Sequence, residues 1–146
     1  MSREYSKKLT KQQLLDWGFI DIVPDNSEFG YTIKRLWFKN SSKSKIEKTI
    51  KISLATCHHK YTADKNYPKV TFCVKSKGYS IPLSRIIYTW FVEDIKDGYV
   101  IDHIDNNPFN NNVYNLQMLT PEDNLRKRYQ DNDTVAKNQY NFVKEF

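Results

Sequence analysis

Residues 101–124 read Ile101-Asp102-His103-Ile104-Asp105-Asn106-Asn107-Pro108-Phe109-Asn110-Asn111-Asn112-Val113-Tyr114-Asn115-Leu116-Gln117-Met118-Leu119-Thr120-Pro121-Glu122-Asp123-Asn124. Tyr99-Val100-Ile101 is built from β-formers and runs straight into Asp102-His103. Five asparagines and Pro108 between Asp105 and Asn112 rule out regular structure there. Thr120 is placed as the N-cap of a helix over 121–128. The expected unit is therefore strand, loop, helix. In extended backbone Asp102 and His103 point to opposite faces, so they share a site only where the strand bends or ends. The asparagine-rich loop permits that.

These residue types carry one chemistry together. Phosphodiester hydrolysis needs a water, a base to deprotonate it and a cation to neutralise charge on the phosphate and the leaving oxygen. His103 is the candidate base, because neutral imidazole accepts a proton near physiological pH. Asp102 offers the oxygen donor that suits Mg²⁺ or Mn²⁺. Asn124 can supply a second oxygen from a helix packed across the strand. Asn115 can bond the imidazole or brace the loop. Each residue alone has a plainer reading: an Asp-His pair before a turn caps it, and loop asparagines satisfy backbone through Asx-turns. Order and spacing are what set the group apart.

Upstream, Thr10 and Gln13 form a capping box for a helix carrying Leu14, Leu15 and Trp17, which Gly18 ends. The first nine residues read as polar and loose. Strands are expected over 30–38, 49–56 and 69–75, with Ile50, Ile52 and Leu54 on one face of the second. Asn40 to Lys45 is a basic turn, and Lys77-Gly78 a tight turn into a short return strand. Pro82 opens a helix whose buried stripe is Ile86, Ile87, Trp90 and Phe91. Tyr31, Trp37 and Phe38 read as core or sheet-face residues rather than base-stacking platforms. Glu93, Asp94, Asp97, Asp102 and Asp105 concentrate acid near the candidate site, while most positive charge lies elsewhere. That separation suits a cation site set in a nucleic-acid-binding surface.

The chain's 146 residues, 39% hydrophobic, are enough for one modest core. A net charge of +6 and an isoelectric point of about 9.2 favour a polyanionic partner, although basicity alone fits any soluble basic protein. Arg126, Lys127, Arg128, Lys43 and Lys45 are candidate phosphate contacts, with a solvated basic face as the equal alternative. The two cysteines, Cys57 and Cys73, lie in no C-x-x-C pair, which excludes a four-cysteine zinc site. With His58-His59 they read as a polar loop end beside strand cysteines. No apolar run is long enough for a membrane span, and Met1-Ser2-Arg3-Glu4 leads into polar sequence. The expected setting is reducing and intracellular.

Asp102-His103-Ile104-Asp105, Asn111-Asn112, Asn115-Leu116, Thr120 and Glu122-Asp123-Asn124 resemble the motif of the HNH endonucleases. The branch most similar is that of phage and intron-encoded homing enzymes. Ser84-Arg85-Ile86-Ile87-Tyr88-Thr89-Trp90-Phe91 stands where that branch has its preceding helix, so the resemblance covers roughly 67–128. It implies a ββα-metal unit with His103 as general base, Asp102 and Asn124 as metal ligands, and Asn115 supporting the histidine and its loop. Ser84 replaces a histidine common in relatives, a departure that affects helix packing rather than chemistry.

The combined expectation is an α+β chain in three parts. Residues 1–66 form a basic, β-rich region with possible DNA contact, 67–130 the HNH nuclease unit, and 131–146 a tail. The function implied is Mg²⁺- or Mn²⁺-dependent nicking of double-stranded DNA, one strand per site, by a monomer. The resemblance further implies a phage- or prophage-encoded protein in a bacterial cytoplasm. A non-catalytic DNA-binding protein with the same fold is the alternative, and an RNA or structured-DNA substrate would use the same groups.

Overall fold

The capping box closes in both directions. Gln13 N donates to Thr10 Oγ1 at 3.1 Å, and Thr10 N donates to Gln13 Oε1 at 2.9 Å, starting α1 (Lys11–Asp16). In this computed structural model, described over residues 7–38, 45–58 and 65–130, only Leu14 of that helix is buried and Leu15 faces out. Gly18 stops it at φ +93°, where an added Cβ would stand 3.0 Å from the Leu36 carbonyl oxygen.

Among the described residues, eight strands follow in three small antiparallel sheets. β1 (Phe19–Pro24), β2 (Tyr31–Phe38) and β3 (Lys45–Ile50) form the first in that order. β4 (Ile52–Cys57), β5 (Lys65–Val74) and β6 (Lys77–Pro82) form the second. β7 (Val100–His103) pairs with β8 (Leu116–Leu119) in the third. Between β6 and β7 lies α2 (Leu83–Phe91), and residues 121–130 form a closing helix, α3. The described residues thus form a mixed α and β structure with three α-helices among them.

Several expectations need correction. The strand read over 49–56 is two strands in two sheets: Ile50 pairs with Ile33, Ile52 with Val70, and Lys51 alone lies between them. Alternation runs unbroken through Lys51, so a change of partner strand leaves no mark on it. β1 was not anticipated. β5 starts four residues before the expected Lys69. The turn into β6 is Lys75-Ser76, both at positive φ (49° and 65°), rather than Lys77-Gly78. Two left-handed residues match the twist of a two-residue hairpin.

Nor is α2 amphipathic in the expected way. Leu83 through Thr89 are all buried, whereas Phe91 is exposed. The helix is sandwiched between β5–β6 on one side and the β7–β8 hairpin on the other, so it needs no solvent stripe. Its Arg85 donates to the Lys7 carbonyl, and burial lowers the guanidinium pKa.

The start of the described chain is pinned, not loose. Leu9 is buried and exchanges backbone hydrogen bonds with Ile95. Asp94 accepts from Lys11 N at 2.8 Å and Asp97 from Lys8 N at 3.3 Å. Glu93 accepts from the Tyr88 hydroxyl, which burial first and Glu93 second push up to about 12. Three of the five acids expected near the cation site therefore fasten α1 and α2. One cluster of buried side chains runs from Leu9 through Ile33, Val70 and α2 to Leu116. Residues 1–6, the Asn40–Ser44 part of the basic turn including Lys43, His59 and the 131–146 tail lie outside the described residues.

Candidate active site

β7 ends at His103, and the next residue turns across: Ile104 N donates to the Asn115 carbonyl at 2.8 Å. Strand pairing sets Gln117 opposite Asp102 and Leu116 opposite His103. The loop between the strands is fastened by its own amides. Asn107 Oδ1, Asn110 Oδ1 and Asn112 Oδ1 accept from the backbone N–H groups of Phe109, Asn112 and Tyr114, the Asx-turn role. Asn106 takes the left-handed conformation at φ 62°.

Asp105 is the hub of this loop. It accepts from Asn110 Nδ2 (2.9 Å), Asn107 N (2.8 Å) and Asn115 Nδ2 (2.9 Å). Those bonds, Asn110's foremost, hold its carboxyl down to about 2. Because the folded value is lowered, the anion's contribution to loop order is present above roughly pH 4. It should be lost only as pH falls through about 2. An NMR titration of the Asp105 carboxyl, with amide exchange at Asn107, should show the loop intact at about pH 4. A midpoint at the ordinary carboxylate value would contradict the hub role.

Asn115 serves the loop. Its Oδ1 accepts from Asp105 N at 3.1 Å, and its Nδ2 donates to Asp105 and, at 2.8 Å, to the Asn110 carbonyl. The imidazole's partner is a different residue. His103 Nε2 lies 2.7 Å from Asn111 Oδ1, and Asn111 is 3% exposed. Asn111 Nδ2 donates to the Pro108 carbonyl at 3.2 Å, so its oxygen faces the ring. An acceptor at Nε2 requires the proton there, which leaves the lone pair of neutral His103 on Nδ1. The Tyr31 hydroxyl in turn donates to the Asn111 carbonyl at 2.7 Å, tying the first sheet to this loop.

Asp102 has other partners. Its Oδ2 accepts from Gln117 Nε2 at 2.8 Å and lies 3.4 Å from Lys127 Nζ. The same ammonium stands 2.6 Å from Asn106 Oδ1 and 3.4 Å from the His103 carbonyl oxygen. Lys127, read as a phosphate contact, thus lies in an oxygen-rich niche of the hairpin. Within α3 only Asn124 and Lys127 are partly buried, three residues apart and so on one face. Thr120 caps that helix through Asp123 N at 3.1 Å, as expected. Arg126 pairs with Asp123 at 3.5 Å in solvent, and Arg128 and Lys45 are exposed.

Carboxylate, amide and carbonyl oxygens converging on one positive charge are the donor set of a hard divalent cation, and the niche fits Mg²⁺ or Mn²⁺ on that ground. Among the described residues no three His, Cys, Asp or Glu side chains gather in a metal-holding group, at this niche or elsewhere, so the niche offers one carboxylate and otherwise neutral oxygens. Cys73 lies in a strand as expected but is exposed. Among the described residues no helix is long and apolar enough to cross a membrane.

The hairpin, its loop and the start of α3, with a histidine at the strand end, lie within a segment that is similar to a known family. Residues 82–126 match the family model described as HNH endonuclease, so the likeness covers less than half of the chain. A 40-residue stretch is 42% identical to the "SPbeta prophage-derived putative HNH homing endonuclease YosQ" of Bacillus subtilis (strain 168). That stretch is 27% of this chain and 23% of the relative, so the likeness concerns the domain and not the whole of either protein. No solved structure matches the chain.

Asn106 and Gln117 are the site residues that sequence reasoning did not single out, and Asn111, quoted within the motif, carried no role of its own there. Asn111 sits in a run of three asparagines, and nothing in the sequence assigns it to the imidazole. Gln117 acquires meaning only once β8 is paired to β7.

Proposed function

We propose that the chain is a divalent-metal-dependent DNA endonuclease whose β7–β8–α3 segment is a ββα-metal unit. The observation that carries this reading is His103, ordered through Nε2 by buried Asn111 with its Nδ1 lone pair left to accept a proton. In this reading His103 takes the proton of the attacking water at Nδ1. Asp102 and Asn124 hold Mg²⁺ or Mn²⁺, which when bound neutralises charge on the phosphate and the leaving oxygen. Asn115 keeps the loop in shape from a distance. Lys45, Arg126, Lys127 and Arg128, with Lys43, meet the backbone of double-stranded DNA.

One base and one cation treat one strand, so a monomer nicks, and a double-strand break takes two encounters. The division into a DNA-contacting region over 1–66, a nuclease unit over 67–130 and a tail belongs to the same proposal. The prophage origin of the relative supports a phage- or prophage-encoded protein acting in a bacterial cytoplasm.

The test is supercoiled plasmid with Mg²⁺ or Mn²⁺ against a chelator control. Metal-dependent conversion to open circles is expected. The Lys127–Asp102 ion pair favours one other reading, a DNA-binding protein in which lysine stands permanently in the cation's place. Retarded DNA on a gel without cleavage by either metal would decide for it. Asn111→Ala should slow nicking by about 10- to 100-fold, the usual loss when the group orienting a site histidine is removed. An unchanged pH–rate profile and rate in that variant would show that Asn111 does not set the imidazole.

A further inference from the structure

We propose that the far end of the first sheet binds an unstacked nucleotide of a single-stranded nucleic acid, with Trp37 as the stacking surface and Lys48 and Lys51 as phosphate contacts. Tyr31, Ile33, Arg35 and Trp37 lie on one face of β2. Ile33 and Arg35 are buried there, but Trp37 is 45% exposed, on the sheet face rather than in the core. Pairing sets Lys48 opposite Arg35 and Ile46 opposite Trp37, which puts Lys48 on the same face. Its ammonium stands 5.4 Å from the Trp37 ring centroid. The face that fills the core at Ile33 thus ends as an aromatic and cationic surface.

Between this end and Thr71 and Phe72 of β5 lies a cleft of about 180 Å³, which Lys51 also lines. That is below the size of sites that enclose a whole ligand, and it suits one planar ring. Arg35 forms the floor. Its guanidinium donates to the carbonyls of Trp17 (2.7 Å) and Cys73 (2.9 Å) and lies 5.0 Å from the Phe72 ring. Both acceptors are neutral, so the positive charge stays under the cleft.

Cations around an exposed aromatic ring are how proteins hold single strands: the ring stacks on any base and the cations follow the backbone. The charge excludes an apolar peptide, and the indole separates this surface from a merely solvated basic face. Duplex DNA keeps its bases stacked and would use the cations alone. The inference goes beyond the endonuclease reading, since it needs no metal and no residue of the β7–β8 hairpin.

Anisotropy of labelled oligothymidine with the full chain in EDTA tests it. Trp37→Ala should weaken binding on the order of tenfold, the loss of one stacked base. Trp37→Phe should retain most affinity, and Lys48→Glu, at an exposed position that leaves the fold alone, should weaken it at least as much. Oligouridine in place of oligothymidine distinguishes RNA from DNA as the source of the strand. The proposal is overturned if Trp37→Ala and Lys48→Glu both bind as the parent does. It is equally overturned if Trp37→Ala weakens duplex as much as single strand, or if polyglutamate competes as well as oligothymidine. Nicking is read with metal and oligothymidine binding in EDTA, so failure of the nuclease reading and failure of this one are told apart.

Discussion

His103→Ala should lower metal-dependent plasmid nicking by about 10²–10⁴-fold, the contribution of a positioned general base. The expectation follows from the ring's surroundings. Asn111 Oδ1 fixes the proton on Nε2 and the Pro108 carbonyl fixes Asn111, so the imidazole is oriented before any substrate arrives. Alanine removes the acceptor and leaves Asn111 Oδ1 buried with its ring partner gone, at about 1–3 kcal/mol of stability. A melting curve measured beside the nicking rate separates the two effects. The variant should stay folded at assay temperature while its rate collapses. Undiminished nicking by folded His103→Ala would remove this residue from the chemistry and leave the base to be sought elsewhere.

A larger contrast is expected between Asp102 and Lys127, read by calorimetric titration of Mn²⁺ without DNA. Asp102→Ala should weaken Mn²⁺ binding by at least about a hundredfold, since losing even an outer partner of a metal ligand costs roughly ten- to a hundredfold. Lys127→Met should strengthen it, on the order of tenfold. The ammonium and a divalent ion call on the same oxygen, Asp102 Oδ2, and the pair is only 13–19% exposed, where solvent screens it little. Methionine keeps the length of the side chain and removes the competitor. If Lys127→Met bound Mn²⁺ no better than the parent and Asp102→Ala no worse, the cation would not reside at this niche. In the proposed reading the same variant bears on catalysis in the opposite sense, because Lys127 is assigned there to the DNA backbone, a contact that methionine cannot make.

How far these groups could be read in advance differs from residue to residue. The capping box at Thr10, the Gly18 stop and the Thr120 cap are local: each is settled by side chains within three or four positions along the chain. The Asx-turn role of the loop asparagines is local as well, and it proved right for Asn107, Asn110 and Asn112. Asn111 is the exception. It differs from its neighbours only in being buried against His103, and burial is a property of the packed molecule.

The acidic residues show the same division. Asp94 and Asp97 resemble Asp102 in sequence context but are consumed by backbone N–H groups over 80 positions away. Lys127 looked like one of three basic residues on a surface helix. Helical period puts it on the same face as Asn124, and the docking of α3 on the hairpin turns that face to Asp102.

The sequence by itself therefore determined the likeness of the 82–126 segment to the HNH endonucleases and the elements bounded by caps and turns, because such signals act over a few bonds. Only the tertiary structure decided which strand pairs with which, that α2 is buried on all sides, that Asn111 rather than Asn115 holds the imidazole, and that Lys127 stands at Asp102. Those outcomes depend on desolvation and on partners far apart in the chain, and no local pattern encodes them.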